Sequence, residues 1–378
     1  MFTGKLKHNT VLLFIFIAFS TLLLLQQCKI DHELIPQPAI NEIIFDPTPY
    51  VVNTTYGIPP FPYDFLNPIN TFTVEGVNLG RKLFYDPVLS ADSSLSCSRC
   101  HNIGHAFSDT VQFSIGIDGL PGKRNAMPIF NLAYEPYQNG FFWDGRAMTL
   151  EDQALIPIQD PVEMHELLPD VIMKLSHSKF YPDLFYLAFG IDSISPEFVG
   201  YALAQFTKSI VSAGSHYDHV AAHDTFFTDL EAKGNELFNL PDGGDCFHCH
   251  GINDGLFTDY QYRNNGLDNA VYYTDFADGG YALITGDTAD YGKFKTPSLR
   301  NVELTAPYMH DGRFQTLEEV LDFYSEGVHD TPFTDNFMQF AYQGGVQLTA
   351  DEKAAIIAFL KTLTDKDLRD KAEYQNPF

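Results

Sequence analysis

LSCSRCHNIG (residues 95–104) and DCFHCHGIND (residues 245–254) each contain the pattern Cys-x-x-Cys-His. The chain has five cysteines, and four of them lie in these two pentapeptides, 149 residues apart. The two copies supply six side chains with known metal or cofactor chemistry, which are Cys97, Cys100, His101, Cys246, Cys249 and His250. A cysteine pair that is twice followed directly by histidine needs one explanation for both copies.

Covalent attachment of haem c explains this pattern. The two cysteines form thioether bonds to one edge of the porphyrin, and the next residue, a histidine, then lies beneath the iron as its proximal ligand. A disulfide within each pair, or one zinc ion bound by four thiolates, would also use the cysteines, but neither requires the histidines. The sequence therefore predicts two haems c, with His101 and His250 as the proximal ligands.

Length and composition limit the class of protein. A chain of 378 residues is long enough for two domains with separate cores, and its content of 45% hydrophobic and 14% aromatic residues is typical of an ordered globular protein. The net charge of −26 argues against nucleic acid or an anionic membrane surface as a partner, although solubility alone also explains such a charge.

The N-terminus has the features of an export signal. Residues 5–28 read KLKHNTVLLFIFIAFSTLLLLQQC, which is a basic start, an apolar run and then Cys28. A cysteine in this place is typical of lipoprotein processing, although Gln26 and Gln27 depart from the usual small residues and an uncleaved membrane anchor is the alternative. We expect an exported, periplasmic protein with a signal peptide over 1–28, lipid-anchored through Cys28, and a tether and lead-in over 29–69.

Helical patterns dominate the rest of the chain. A Gly-x-x-Leu-Phe segment precedes each Cys-x-x-Cys-His pattern, which indicates an internal duplication. Helical periodicity is also present in 197–212, 316–327 and 349–368, with Thr316 and Thr349 as expected N-caps. Strand signals are few and short. Long stretches rich in glycine, proline and aspartate lie between the helices, and a large buried cofactor would order them.

Five motifs in fixed order resemble the bacterial di-haem cytochrome c peroxidase and MauG family over residues 70–365. They are CSRCH, GKRNAMPIFNLAY, FFWDGRAMTLEDQALIPIQDPVEM, CFHCH and FKTPSLRNVELTAPYMHDGRFQTLEEV. The resemblance implies a mainly α fold of two cytochrome-c-like helical domains, each with one covalently bound haem c, facing each other across an interface. The expected domains are 70–213 with the peroxidatic haem and 214–378 with the electron-transfer haem.

The resemblance also implies functions for individual residues. Trp143, the only tryptophan of the chain, corresponds to the tryptophan that relays electrons between the haems in the family. The family's peroxide pocket corresponds to Gln153, Pro157 and Glu163, at ten, fourteen and twenty residues after that tryptophan. A carboxylate in a partly apolar haem pocket has the raised pKa that proton transfer between the two peroxide oxygens requires.

Two positions differ from many family members. Ile117 stands sixteen residues after His101, where many members have a histidine that blocks the peroxidatic iron, so we expect an open site without reductive activation. Tyr324 stands fourteen residues after His310, where the peroxidases have a methionine ligand and MauG-like members have tyrosine. A phenolate ligand favours oxidised iron. Met309 and Met338 are the alternative ligands.

The family also has a calcium ion between its domains, and the matching positions are Asn125, Thr305 and Pro307. The function expected from the resemblance is reduction of hydrogen peroxide to water with electrons from a small periplasmic donor, such as a monohaem cytochrome c or a cupredoxin. One alternative is a MauG-like enzyme that uses peroxide to oxidise a protein or organic substrate. The other is a di-haem electron carrier without enzymatic activity. A homodimer is an open alternative to a monomer.

Overall fold

The computed structural model describes residues 44–52, 58–62, 67–251 and 254–378. The expected signal peptide, Cys28 and most of the tether lie outside these residues. Within them, no helix has both the length and the hydropathy needed to cross a membrane.

Helices form most of the regular structure in the described part of the chain. The α-helices are α1 (Val74–Tyr85), α2 (Leu150–Gln159), α3 (Leu168–Ser176), α4 (Tyr181–Phe189), α5 (Pro196–Ser209), α6 (His216–Ala221), α7 (Asp229–Phe238), α8 (Ala282–Thr285), α9 (Leu317–Asp322) and α10 (Ala350–Lys361). Two short antiparallel strands, β1 (Tyr262–Arg263) and β2 (Phe294–Lys295), form the one sheet found there. The predicted mainly α class is confirmed.

Threonine caps fix where several of these helices begin. Thr316 and Thr349 each accept a hydrogen bond from a backbone N–H three residues on and are bonded in return by a glutamate, as a capping box requires. Both predicted caps are thus confirmed. The helix predicted over 349–368 is shorter, because Asn301 bonds the backbone of Leu363 and Asp365 and leads the chain away from the helical path.

Two crossed helix pairs repeat the same packing. Gly80 of α1 lies on the backbone of Ala202 in α5, and Gly234 of α7 lies on the backbone of Ala355 in α10. A methyl group at either glycine would overlap the facing carbonyl oxygen, so the close approach requires glycine at both crossings. These glycines begin the two Gly-x-x-Leu-Phe segments, so the predicted duplication extends to tertiary packing.

The buried apolar side chains form two main clusters. One is built mostly from residues between Phe61 and Ala213, and the other from residues between Leu237 and Leu363. The C-terminal segment returns to the first cluster, where the Tyr374 hydroxyl donates to the Ser209 carbonyl at 2.9 Å. The two-domain division at residue 213 stays a prediction, and the last residues of the chain pack against the first half.

Candidate functional site

The two Cys-x-x-Cys-His patterns have the same backbone conformation. Each begins with a 3-10 turn, Cys97–Arg99 or Cys246–His248. The backbone N–H of the histidine then donates to the carbonyl of the first cysteine, at 3.0 Å for His101 and 2.9 Å for His250. The four cysteines are free thiols and form no disulfide among the described residues. Within each pair, both sulfurs are therefore available for bonding to another group.

The ring of each histidine is oriented by a backbone carbonyl. Nδ1 of His101 lies 3.0 Å from the carbonyl oxygen of Phe107, and Nδ1 of His250 lies 3.1 Å from that of Phe257. Since a carbonyl oxygen only accepts, Nδ1 carries the proton and Nε2 keeps the lone pair that an iron ligand needs. Burial lowers the pKa of both histidines, which favours the same neutral form.

Both carbonyls come from fully buried phenylalanines in a strained backbone conformation. Phe107 has φ +59° and Phe257 has φ +56°, in the left-handed region that bulky residues rarely adopt. The same unusual geometry at both sites aims the two carbonyls at the two imidazoles. It is a further structural feature that the two halves share.

A cavity of about 230 Å³ lies beside the second pattern. Its walls are mostly apolar, and they include Cys246, Cys249, His250, Met309, Tyr324 and Met338. Two thiols, an oriented imidazole and apolar walls match the requirements of a covalently attached haem. The described residues also contain no cluster of three or more histidine, cysteine, aspartate or glutamate side chains that would bind a bare metal ion.

Tyr324 faces this cavity together with Met309. The side-chain amide of Asn265 donates to the Tyr324 hydroxyl oxygen at 3.0 Å and lies 3.7 Å from the Met309 sulfur. Burial raises the pKa of Tyr324 to about 12, while the Asn265 hydrogen bond opposes this shift. Tyr324 lies in a π-helical turn, Phe323–Gly327, which continues α9. Such turns occur frequently at functional sites.

Glu163 lies close to the first pattern. Burial raises the pKa of its carboxyl to about 7, Asp160 contributes in the same direction, and Arg146 opposes them. The Glu163 charge in turn contributes to the raised pKa values of Cys97 and Cys100. The carboxyl therefore lies within electrostatic range of both sulfurs and titrates near neutral pH.

Two loops hold Glu163 in position. The backbone N–H of Ile117 donates to the Glu163 carbonyl at 2.8 Å. Next to Ile117, Gly116 lies directly on the Val162 carbonyl. One residue further on, Asp118 pairs with Nδ1 of His165 at 2.6 Å. Ile117 therefore supports the backbone of Glu163, which the sequence did not predict.

Gln153 and Pro157 lie one turn apart on α2, and thus on the same helix face. Pro157 accepts a hydrogen bond from the backbone N–H of Met164 at 3.2 Å. This bond folds the segment that carries Glu163 back onto the end of α2. The three residues expected to form a peroxide pocket therefore belong to one local structure.

Trp143 lines the cavity of the second pattern. The three residues expected to bind calcium also line it, namely Asn125, Thr305 and Pro307. The indole N–H of Trp143 donates to the Asn125 carbonyl at 2.9 Å, and the Asn125 backbone N–H donates to the His310 carbonyl at 2.8 Å. The Asn125 side-chain amide N–H donates to two carbonyls, which directs its oxygen elsewhere. Trp143 is thereby tied to the segment around His310.

A second duplicated motif was missed in the sequence. WDGRAMTLED (143–152) and HDGRFQTLEE (310–319) share the Asp-Gly-Arg turn and the threonine that caps the following helix. Each turn is closed by an isolated antiparallel bridge, Phe141 to Ala147 or Tyr308 to Phe314. Comparison of these two ten-residue segments would have found the repeat.

This repeat relates the expected site residues of the two halves. His310 occupies the position of Trp143, and Tyr324 occupies the position of Pro157, because each lies eight residues after the capping threonine. Proline has no side-chain donor atom, whereas tyrosine has a phenol oxygen. The two halves thus have side chains of different chemistry at equivalent positions after the capping threonine.

Comparison with known proteins identifies the family. The family model of the di-haem cytochrome c peroxidases matches residues 74–225. The methylamine utilization protein MauG of Methylorubrum extorquens is 36% identical over 296 residues, which are 78% of this chain and 79% of that protein. The cytochrome c551 peroxidase of Nitrosomonas europaea is 34% identical over 305 residues, which are 79% of this chain and 84% of that protein. This chain belongs to the di-haem cytochrome c peroxidase family.

Solved structures give the same result for the fold. A MauG-like protein associated with microbial copper homeostasis aligns with a TM-score of 0.77 and 32% identity, over 87% of this chain and 99% of that one. The diheme peroxidase BthA of Burkholderia thailandensis, at a TM-score of 0.66 and 23% identity over 85% of this chain and 96% of that one, shares the fold. The relatives include proteins named cytochrome c peroxidase and proteins named MauG, so family membership alone does not separate these two activities.

Proposed function

We propose that this protein is a periplasmic peroxidase that reduces hydrogen peroxide to water with electrons from a small donor protein, such as a monohaem cytochrome c or a cupredoxin. The observation that carries the proposal is the position of Glu163, a partly buried carboxyl that the contacts of Ile117 and Pro157 hold within electrostatic range of Cys97 and Cys100, where its pKa is raised to about 7. A general acid and base works best when its pKa is near the working pH.

Two haems c would be bound in this protein, one through Cys97, Cys100 and His101 and the other through Cys246, Cys249 and His250. When bound, haem supplies the iron at which the O–O bond of peroxide is cleaved and the electrons are stored. Glu163 takes a proton from the peroxide oxygen nearer the iron. It then gives this proton to the oxygen farther from the iron, which leaves as water. Pro157 has no side-chain atom that could bind the iron, so the first site stays open to peroxide on that side. Gln153 lies on the same face of α2 and orients the peroxide there.

Trp143 conducts electrons between the two sites in this proposal. Its indole is 8% exposed, its N–H is bonded to the Asn125 carbonyl, and its ring lines the second cavity. A calcium ion held by Asn125, Thr305 and Pro307 would stabilise the same region. Lipid attachment through Cys28 would keep the protein at a membrane surface.

A MauG-like oxidation of a protein or organic substrate is the second candidate, and Tyr324 favours it. Its hydroxyl oxygen faces the second cavity and is bonded by Asn265. As a phenolate ligand it would stabilise oxidised iron, which suits withdrawal of electrons from a distant substrate.

The deciding experiment combines spectroscopy with turnover. We expect the mature protein to carry the mass of two covalent haems, and its ferric EPR spectrum to show one high-spin and one low-spin iron. Reduced cytochrome c should be oxidised when peroxide is added. Two low-spin signals without peroxide turnover would instead identify an electron carrier, and turnover only with a protein or organic substrate would favour the MauG-like reaction.

A further inference from the structure

Tyr262 and Tyr281 form a stacked pair beside the second cavity. Their ring centroids are 3.9 Å apart and the ring planes differ by 3°. Tyr262 lies on β1, and the backbone N–H of Tyr281 donates to the Lys293 carbonyl just before β2. Two overlapping phenol rings form a path along which an electron can move without a gap in the π contact.

The inner end of this pair touches the turn that contains Trp143. The Tyr262 hydroxyl donates to the Asn139 carbonyl and lies against Gly145, where any side chain would overlap it. Tyr262 is also the β-sheet partner of Lys295, whose backbone N–H donates to the Trp143 carbonyl at 2.9 Å. The pair is therefore coupled to the Trp143 segment through both side-chain and backbone contacts.

Exposed apolar side chains lie close to Tyr281 along the chain. Leu283, two residues after Tyr281, is 61% exposed, and Tyr273 is 47% exposed. These two side chains are connected, because Gly279 lies against both Leu283 and the Tyr291 ring, and that ring contacts Tyr273 at 5.4 Å between centroids. An apolar aromatic molecule would find a complementary contact area here.

We propose that Tyr281 and Tyr262 carry electrons from small phenolic reductants at this surface to Trp143, so that the protein has a second substrate site. The inference rests on the proposed peroxidase function, which supplies the oxidant. Tyr281 loses an electron through Tyr262 and its phenolic proton to water, and the resulting tyrosyl radical takes a hydrogen atom from the phenol. Two phenols are oxidised to phenoxyl radicals for each peroxide, whose O–O bond is cleaved and whose oxygens leave as two waters.

The surroundings of the two rings determine which of them holds the radical. The Tyr262 hydroxyl donates to the Asn139 carbonyl, and an amide carbonyl is too weak a base to take its proton. Tyr281 is farther along the path and partly open to water, so it is the ring that releases a proton and holds the radical.

Spin trapping tests this path on the intact holoprotein. Peroxide is added with the nitroso trap 2-methyl-2-nitrosopropane, and the trapped radical is located by peptide mass spectrometry. Oxidation of guaiacol is followed in parallel. The variants are Tyr281→Phe and Tyr262→Phe. The control is Tyr342→Phe, since Tyr342 is a tyrosine outside the stacked pair whose exposure of 72% makes it more accessible to the trap than Tyr281.

We expect the adduct on Tyr281 in the wild type and in the Tyr342→Phe control, and its loss in both test variants together with loss of guaiacol oxidation. An adduct on Tyr281 that persists in Tyr262→Phe would overturn the path. So would full guaiacol oxidation by Tyr281→Phe. If the wild type consumes peroxide with cytochrome c but forms no Tyr281 adduct, only this inference is wrong, whereas absence of peroxide consumption overturns the proposed function as well.

Discussion

The two Cys-x-x-Cys-His sites have the same backbone and differ in the side chains around it. Both use a 3-10 turn, a histidine held by a left-handed phenylalanine, and a threonine-capped helix that starts after an Asp-Gly-Arg turn. At the same position of that helix the first half has Pro157 and the second half has Tyr324. The two halves thus share these backbone elements and differ in the side chain at this one position.

The helices that contain or precede these two residues also differ. α2 continues past Pro157 as an α-helix to Gln159, whereas α9 changes into a π-helical turn at Phe323, one residue before Tyr324. Tyr324 lies in this wider turn, and its hydroxyl oxygen receives a hydrogen bond from Asn265. The first half instead has a carboxyl, Glu163, on the segment that follows the helix. The second site therefore has a phenol oxygen, which we propose as an iron ligand, and the first has a carboxyl, which we propose as a proton carrier.

Glu163→Gln should produce the largest effect, because it removes the proposed proton carrier from the first site. We expect peroxide turnover to fall by roughly 10²–10⁴-fold while both haems are retained. Steady-state oxidation of reduced cytochrome c by peroxide measures the loss. Glu236→Gln, which changes an exposed glutamate of the second half, is the matched control. Full turnover by Glu163→Gln would identify Glu163 as a structural acid.

Tyr324→Phe removes the oxygen from the second site and should convert its low-spin EPR signal to a high-spin one. Tyr324→Met should retain a low-spin iron and raise its reduction potential, because a thioether stabilises ferrous iron where a phenolate stabilises ferric iron. Spectroelectrochemical titration of both variants measures these changes. An unaltered low-spin signal in the phenylalanine variant would point to Met309, whose sulfur lies near the same Asn265 amide.

Turnover should also depend on pH through Glu163. The carboxyl must be ionised to accept a proton from peroxide, and its pKa is about 7 because burial and Asp160 outweigh the opposite effect of Arg146. Activity should therefore fall by about tenfold per pH unit below pH 7 and level off above it. The pH profile of kcat/KM tests this, and Glu163→Gln should lose the step. A step of equal size in that variant would assign the titration to another group.

The sequence predicted the parts of this comparison that local patterns encode. The paired cysteines, the histidines, and the Thr316 and Thr349 caps depend on short motifs, and glycine in each Gly-x-x-Leu-Phe segment indicated the repeated helices. The contact of Ile117 with Glu163 and the return of Tyr374 to the first cluster join residues far apart in the chain. No local pattern specifies such contacts, because tertiary packing decides them. The sequence also shows that Pro157 and Tyr324 are equivalent positions, but only once the two Asp-Gly-Arg segments are aligned.

The smallest effect is expected from the side-chain contact between Asp118 and His165, which joins the two loops around Glu163. The Asp118 and His165 side chains are 51% and 54% exposed, and exposed pairs contribute about 0.2–1 kcal/mol. His165→Ala should therefore lower kcat/KM for peroxide by up to about fivefold, since Glu163 stays held by its bond from Ile117. Asp118→Asn should have the same effect, and the double variant should be no worse than either single one, because both changes remove the same interaction. Additive losses would show that the Asp118 and His165 side chains act separately. In that case the backbone hydrogen bonds alone would hold the loop that contains Glu163.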